Sequence, residues 1–299
     1  MANQEKMSFA DFRKRFNNED ACREYLYKLR WPERFVCPQC GGVDCYHIKG
    51  RNKYQCVQCR HQASVTSGTV MHKSKLSLQT WFWAIYLVSR DKRGYSATQL
   101  AEELNIAYSS AWYLLHRIRR AMAERDSEYM LSGIVELDDT YFGAPTEGGK
   151  RGRGTEKAKV MVAVSKTENG KPGYLKMQVF DNLKGETVGD FAKACIVKGS
   201  IIQSDAYRSY RKPLAEDFDH QFEVYDSNSD TLKWLHTLVG NVKALVNGTF
   251  HGLGDKHLQS YLDEFCYRFN RRGFRTQIFP RLLCAVANSN ILGYADLTR

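Results

Sequence analysis

Apolar residues from Leu78 to Val88 recur at helical spacing and predict an amphipathic helix. Polar residues then break the pattern. "ATQLAEEL" predicts a second short helix, which passes through "NIA" into a third beginning near Tyr108. Further on, the segments "GIVELDD", "AKVMVAVS", "GYLKMQVFD" and "GSIIQSD" are short and β-rich, and helical segments follow from about Gly185, Asp230 and Lys256. The last helical stretches have defined faces. "DTLKWLHTLVGNVKALVNG" puts Leu235, Leu238, Val239, Val242 and Val246 on one stripe, and Tyr261, Phe265 and Phe269 recur at i, i+4 as a core face. "LLCAVAN" predicts a helix near the C-terminus that packs against the strand-rich domain. The alternation of strands and helices predicts a mixed α/β sheet. The expected boundaries are an N-terminal segment over 1–72, a three-helix region over 73–130, an α/β domain over 131–272 and a C-terminal helical extension over 273–299.

Charge narrows the partner. With 44 basic and 33 acidic side chains the formal charge is +11, which favours a polyanion over a small neutral ligand. The longest apolar run, "WFWAIYLV", is far short of the ~20 residues a membrane span needs, so no membrane partner is expected. The polar start "MANQEKMSFADF" lacks the basic-then-apolar signature of a secretion signal, so a reducing cytosol is expected.

Nine cysteines in a reducing compartment need a reason other than disulfides. Cys37 and Cys40 form one Cys-x-x-Cys pair, Cys56 and Cys59 another, and the 15-residue spacer between them is zinc-ribbon spacing. Two such knuckles complete a closed tetrahedral thiolate site, which suits a structural Zn²⁺. Cys45, His47 and His61 are surplus to that site. Cys22, Cys195, Cys266 and Cys284 lie among apolar residues and read as small core hydrophobes.

The three helices after the cysteines read as a helix-turn-helix. Ser109 and Ser110 start its third helix, where side chains meet base edges, and Arg117, Arg119 and Arg120 lie near its end as candidate phosphate contacts. Between the first two strands the basic Gly-rich stretch "GAPTEGGKRGRGTEK" predicts a loop.

Carboxylates recur at predicted strand ends. Asp138 closes the first strand and Asp205 closes "SIIQSD"; adjacent strands bring such a pair together, where a divalent cation relieves their repulsion and suits phosphodiester chemistry. On the helix that carries the Leu235 stripe, His236, Gly240, Lys243 and Asn247 share a neighbouring face. His236 is a candidate metal ligand and Lys243 a candidate phosphate contact, while Gly240 leaves room for a substrate backbone.

These motifs together carry a resemblance. "LRWPERFVCPQC", the order of ribbon then helix-turn-helix, "VELDDTYFGA", "SDAYRSY" and above all "NVKALVNGTFHGLGDKHLQSYLDEFCYRFNRR" are similar to DDE-type transposases of bacterial insertion sequences, in the subgroup with an N-terminal zinc ribbon. The resemblance implies an RNase H-like catalytic domain that cleaves phosphodiesters and joins the freed 3′-hydroxyl to new DNA. It puts the family's first aspartate on Asp138, with Asp139 in the neighbouring acidic position, and the second on Asp205. With Lys243 matching the family's basic residue, the third acid's position holds His236, a departure from the usual glutamate. Asp230 and Glu264 are the fallback third ligands, while Asn241 points away round the helix. Arg268, Arg271 and Arg272 are further candidates for the DNA path. The implied cofactors are structural Zn²⁺ and catalytic Mg²⁺ or Mn²⁺. The implied partners are double-stranded DNA, namely the element's terminal inverted repeats and target DNA, held by a homo-oligomer in the bacterial cytosol in association with the nucleoid. A DNA-binding regulator descended from a transposase and a nuclease of the same fold are the alternatives.

Overall fold

The computed structural model describes residues 7–143, 155–224, 231–250 and 253–298. Most of the basic Gly-rich stretch, and Asp230, lie outside the described residues. The chain forms two compact units, one of Met1–Arg125 with Phe274–Arg299 and one of Asp126–Gly273.

The first unit opens with two helices that the sequence pattern leaves unmarked, α1 (Phe9–Arg15) and α2 (Glu19–Arg30). Each starts at a polar cap: Asp11 N donates to Ser8 Oγ at 3.2 Å and Ala21 N to Asn18 Oδ1 at 2.8 Å. A small antiparallel sheet follows, with β1 (Cys45–Ile48), β2 (Lys53–Cys56) and β3 (Gln62–Ala63) in that order. Then come α3 (Leu78–Arg90), α4 (Ala97–Leu104) and α5 (Tyr108–Ser127), which begin where the periodicity places them. Glu19 of α2 caps α3 from outside, accepting from Leu78 N at 2.8 Å and Gln79 N at 3.1 Å. The turn from α4 to α5 is tight, with Asn105 at φ 49° and Ile106 N donating to Ala101 O at 3.0 Å.

The second unit is one five-stranded mixed sheet with helices on both faces. Its elements are β4 (Ile134–Phe142), β5 (Ala158–Lys166), β6 (Pro172–Phe180), α6 (Gly185–Cys195), β7 (Ile201–Asp205), α7 (Arg208–Ala215), β8 (Asp219–Glu223), α8 (Lys233–Thr249) and α9 (Asp255–Asn270). The strand order is β6-β5-β4-β7-β8. The first three strands in sequence pair antiparallel, while β7 joins β4, and β8 joins β7, in parallel. This is the mixed α/β architecture that the alternating pattern implies. The pattern does not mark α7 or β8. α7 is two turns long with Pro213 inside it, and β8 is a largely exposed edge strand without a buried alternation.

One face of the sheet packs Val160, Val162, Val164, Leu175 and Met177 against Leu235, Leu238, Val239, Val242 and Val246 of α8 and Leu258, Leu262 and Cys266 of α9. The α8 stripe is the one read from the sequence. On α9 the buried row is Leu258, Leu262 and Cys266, and Phe265 and Phe269 flank it. The opposite face packs Val135, Leu137, Met161 and Ala163 against Val188, Phe191 and Ala192 of α6 and Tyr210 and Leu214 of α7.

After α9 the chain returns to the first unit as α10 (Ile278–Asn288) and α11 (Tyr294–Thr298). The sequence reading assigns α10 to the strand-rich domain, but its packing partners are α2 and α3. Phe279 explains the choice: its ring meets Phe12 edge-on at 5.3 Å and Tyr86 at 5.7 Å, and Phe12 stacks on Tyr86 at 4.3 Å. An aromatic cluster made by α1 and α3 thus takes up the apolar face of α10.

Gly240 sits exposed within α8, and a Cβ added there meets nothing within 4 Å. Gly240→Ala is expected to raise stability by about 0.5–1 kcal/mol through the lower entropy of the unfolded chain. The measurement is the denaturant midpoint at unchanged slope, and a lower midpoint contradicts the open environment.

Candidate active site

Side chains alternate between the faces of a strand, so β4 distributes its acids by parity. Val135 and Leu137 enter the core under α6 and α7, whereas Phe142 enters the core under α8. Asp138 therefore faces α8, and Asp139 faces α7, where the buried Tyr210 hydroxyl donates to its Oδ1. The adjacent aspartates serve opposite sides of the sheet.

The sequence reading has Asp138 close its strand, but β4 continues to Phe142 and stays paired with β5 throughout. What ends beside Asp138 is the parallel pairing with β7, whose last pair is Leu137↔Ser204. One step beyond that pair, Asp138 and Asp205 come into neighbouring register on the α8 face, since Ile202 of β7 belongs to the opposite core. The third candidate arrives from α8, with His236 Nε2 lying 3.3 Å from Asp138 Oδ2. Two neighbouring ligands of an octahedral Mg²⁺ or Mn²⁺ with bonds of about 2.1 Å are about 3.0 Å apart, so this pair suits joint coordination. Asp205 Oδ1 accepts from Tyr207 N at 3.1 Å, at the approach to α7. Among the described residues the cysteine cluster is the one set of three or more such ligand atoms gathered within 4.8 Å, so Asp205 stands further off in this conformation.

Burial pushes the Asp138 carboxyl above its ordinary range; hydrogen bonding from His236 opposes the shift and the Asp139 and Asp205 charges add to it. Seven residues along α8 from His236, Lys243 holds its ammonium 5.6 Å from the centre of the Phe142 ring. Burial, and then the charge of Lys157, pull Lys243 below the ordinary amine range. A crowded carboxyl and a depressed ammonium on one helix–strand seam are a polarised site to which a cation and a phosphate each bring relief. Phe142, Lys157 and Tyr210 belong to its surroundings but escape sequence reasoning. For Phe142 the available signal was parity along β4, and for Tyr210 its place in "SDAYRSY".

Of the fallback ligands, Glu264 is 2% exposed and bound by Arg268 Nη2 at 2.8 Å within α9, which removes it from a cation site. Arg271 is likewise buried, paired with Asp126 at 2.6 Å, and Arg272 donates to the carbonyls of Gly173 and Phe269. Arg268 and Arg271 are therefore fold-holding residues and not a DNA path.

In the first unit the ribbon brings its four cysteines together. Cys37 Sγ lies 3.6 Å from Cys59 Sγ, and Cys40 Sγ lies 3.5 Å from Cys56 Sγ. Zn–S bonds of about 2.3 Å at the tetrahedral angle put sulfurs about 3.8 Å apart, so the set fits Zn²⁺. Each knuckle closes on a left-handed residue, Gly41 at φ 74° and Arg60 at φ 62°. Burial opposes ionisation of Cys37, but the N–H groups of Cys40 and Gln39 and the neighbouring thiols bring it down to about 7. His47 stacks on Tyr54 at 4.7 Å, which gives its ring other work.

At the start of α5, Ser109 is exposed and Ser110 half-buried. The three arginines separate. Arg117 is 7% exposed, donating to Tyr113 Oη at 2.8 Å and His72 O at 3.2 Å, and Arg119 is 2% exposed. Expected as phosphate contacts, both are inside, because α5 is buried on every side from Leu114 to Arg119. Arg120 faces outward, paired with Glu124 at 2.7 Å.

Two family models match segments of the chain. Residues 130–270 match the family model of an ISXO2-like transposase domain, and residues 17–62 that of a transposase zinc-ribbon domain. An uncharacterized protein in transposable element ISH50 of Halobacterium salinarum is 29% identical over 142 residues, covering 46% of this chain and 47% of that protein. The chain thus spans about half the length of this relative. Among solved structures, a pre-cleavage Mos1 transpososome aligns with TM-score 0.28 and 13% identity over 70% of this chain and 79% of that one. The Mos1 mariner paired end complex with Mn aligns with TM-score 0.29 and 14% identity over the same shares.

Two outcomes are expected. A carboxyl whose value is raised by folding contributes stability below the ordinary carboxylate range and loses it as pH rises through the raised value. Without added Mg²⁺ or Mn²⁺, Asp138→Asn should therefore melt above the parent at neutral pH, and the gap should close towards the ordinary carboxylate range; a gap that widens in acid contradicts the burial. Protein purified without chelator should carry one zinc per chain by elemental analysis, and Cys56→Ser should lose both metal and ribbon structure. A metal-free but folded ribbon contradicts the second expectation.

Proposed function

Taking residues 17–62 and 130–270 as a transposase zinc ribbon and an ISXO2-like transposase domain, we propose that this chain is the transposase of an insertion sequence, cutting DNA at the element's ends and joining the freed 3′ ends to a target. The observation that carries the proposal is the common face of Asp138, Asp205 and His236 where the β4–β7 pairing ends. These three side chains would hold Mg²⁺ or Mn²⁺. The chemistry such a cation supplies is polarisation of the phosphodiester and activation of water.

The protein's own part is positioning. Lys243, held beside Phe142 and Lys157, contacts a phosphate and so regains the charge partner that burial denies it. The exposed Gly240 between His236 and Lys243 leaves the DNA backbone room to approach α8. In the first unit the ribbon, built around Zn²⁺ on Cys37, Cys40, Cys56 and Cys59, and the helix-turn-helix recognise the ends. Ser109 and Ser110 meet bases and Arg120 a phosphate. The formal charge of +11 suits that partner.

Cleavage and strand-transfer assays on DNA carrying the element's own ends test the reading. Asp138→Asn and Asp205→Asn should each lower cleavage by about 10²–10³-fold or more while keeping DNA affinity. His236→Ala should lose most activity, and His236→Glu, which restores an oxygen ligand, should retain more. Arg120→Ala should weaken binding to all sequences alike and reduce its salt dependence, whereas changes at Ser109 should alter sequence preference. Parental cleavage in either aspartate variant refutes the cation site. Cleavage without transfer identifies a nuclease, and specific binding without cleavage identifies a regulator.

A further inference from the structure

Glu136 is 0% exposed, and no step assigned above uses it. It lies two residues before Asp138 on β4 and so projects from the same face towards α8. Its Oε2 accepts from Leu235 N at 2.8 Å, and Lys166 Nζ stands 2.9 Å from its Oε1. Lys166 also donates to Gln203 Oε1 at 2.8 Å, so the carboxylate is braced across β5, β4 and β7.

The helix it meets has an apolar residue at its cap position. α8 starts after Leu232, a left-handed residue at φ 56° whose side chain makes no cap hydrogen bond. Leu235 is the third residue of α8, the position whose N–H an ordinary Ser, Thr or Asp cap would take. Glu136 takes that N–H from the sheet. The next residue of the helix is His236, whose ring reaches Asp138. One strand face thus makes two successive contacts with two successive residues of α8, the first to backbone and the second to the candidate ligand.

We propose that Glu136 is a positioning residue: as a remote cap it fixes the height and phase of the first turn of α8, and so sets His236 Nε2 against Asp138. A helix held only by its apolar stripe has some freedom to slide or rotate by a fraction of a turn, because Leu, Val and Met contacts are non-directional. A buried carboxylate on a helix N–H is directional, and it also complements the positive end of the helix dipole. Trp234 donates its indole N–H to Gly170 O at 2.8 Å and tethers the start of α8 at a second point, from a side chain and not through the helix backbone. The proposal rests on the reading of His236 and Asp138 as parts of the cation site, and it adds the group that places them.

The test separates length from charge in the full-length, zinc-bound protein without DNA, Mg²⁺ or Mn²⁺. Glu136→Asp keeps the charge beside Lys166 but retracts the carboxylate from Leu235 N; Glu136→Gln loses the charge but keeps an acceptor at the right reach. Hydrogen exchange at the Leu235 amide and the ¹⁵N resonances of the His236 ring are followed. Glu136→Asp should speed Leu235 exchange about fivefold or more, the size expected for loss of a cap, and should make the His236 ring insensitive to Asp138→Asn. Glu136→Gln should stay close to the parent in both. The reverse pattern, with Asp harmless and Gln damaging, would mean that only the ion pair with Lys166 matters and would overturn the proposal. So would a His236 ring unmoved by either change. Trp234→Phe, which removes the outer tether, should leave the His236 ring as in the parent, and a shift there equal to that of Glu136→Asp also overturns it. A Mn²⁺ titration of the same proteins then tests the underlying reading: Glu136→Asp should lower affinity about tenfold. A displaced His236 with unchanged Mn²⁺ affinity leaves the positioning role standing and rejects His236 as a ligand.

Discussion

The second unit depends on one register, the parallel pairing of β4 with β7 that stops at Leu137↔Ser204 while β4 remains paired with β5 on its other edge. Up to that point β4 is paired on both edges, and beyond it, among the described residues, β7 no longer pairs with it. Acids placed there are rigidly mounted yet not walled in by a neighbouring strand. Strand parity does the rest. Asp138 turns to α8 and Asp139 to α7, so two residues of one dipeptide secure two different helices. A slip of one residue would exchange the faces and send both acids into the wrong cores.

The electrostatics follow from that placement. Asp138 is held where its charge is disfavoured by burial and by two neighbouring carboxylates, and Lys243 is held where its charge is disfavoured by burial and by Lys157. Neither arrangement favours the isolated fold. Both suit the proposed site, where a cation and a phosphate would each relieve the strain on a buried charge. In the ribbon of the first unit the same crowding involves sulfur: four thiols are packed at distances suited to Zn²⁺.

Much of this was legible in the sequence where the signal was local. The two Cys-x-x-Cys pairs lie in one cluster, the Leu235 to Val246 stripe is buried as its period requires, and α3, α4 and α5 begin where polar breaks and caps place them. The failures share a different cause. Arg117 and Arg119 read as a basic surface because periodicity cannot tell that α5 is enclosed on all sides. Glu264 and Arg271 read as available charges, but each has a partner, Arg268 one turn away and Asp126 at a sequence distance of 145 residues. Sequence order assigns α10 to the strand-rich domain, whereas its Phe279 belongs to an aromatic cluster built from the first helices. Glu136 was invisible as a functional residue, since a strand acid that caps a helix 99 residues later leaves no mark in local pattern.

The central claim is that Asp138, Asp205 and His236 hold one divalent cation. The most direct measurement is a Mn²⁺ titration of protein ¹⁵N-labelled at histidine, followed through the ring nitrogens, because the paramagnetic ion broadens only nuclei close to it. The account predicts that Mn²⁺ broadens the His236 ring in the parent, at concentrations that leave it sharp in Asp138→Asn and in Asp205→Asn. A His236 ring that stays sharp in the parent at saturating Mn²⁺, or that broadens equally in both variants, would contradict it.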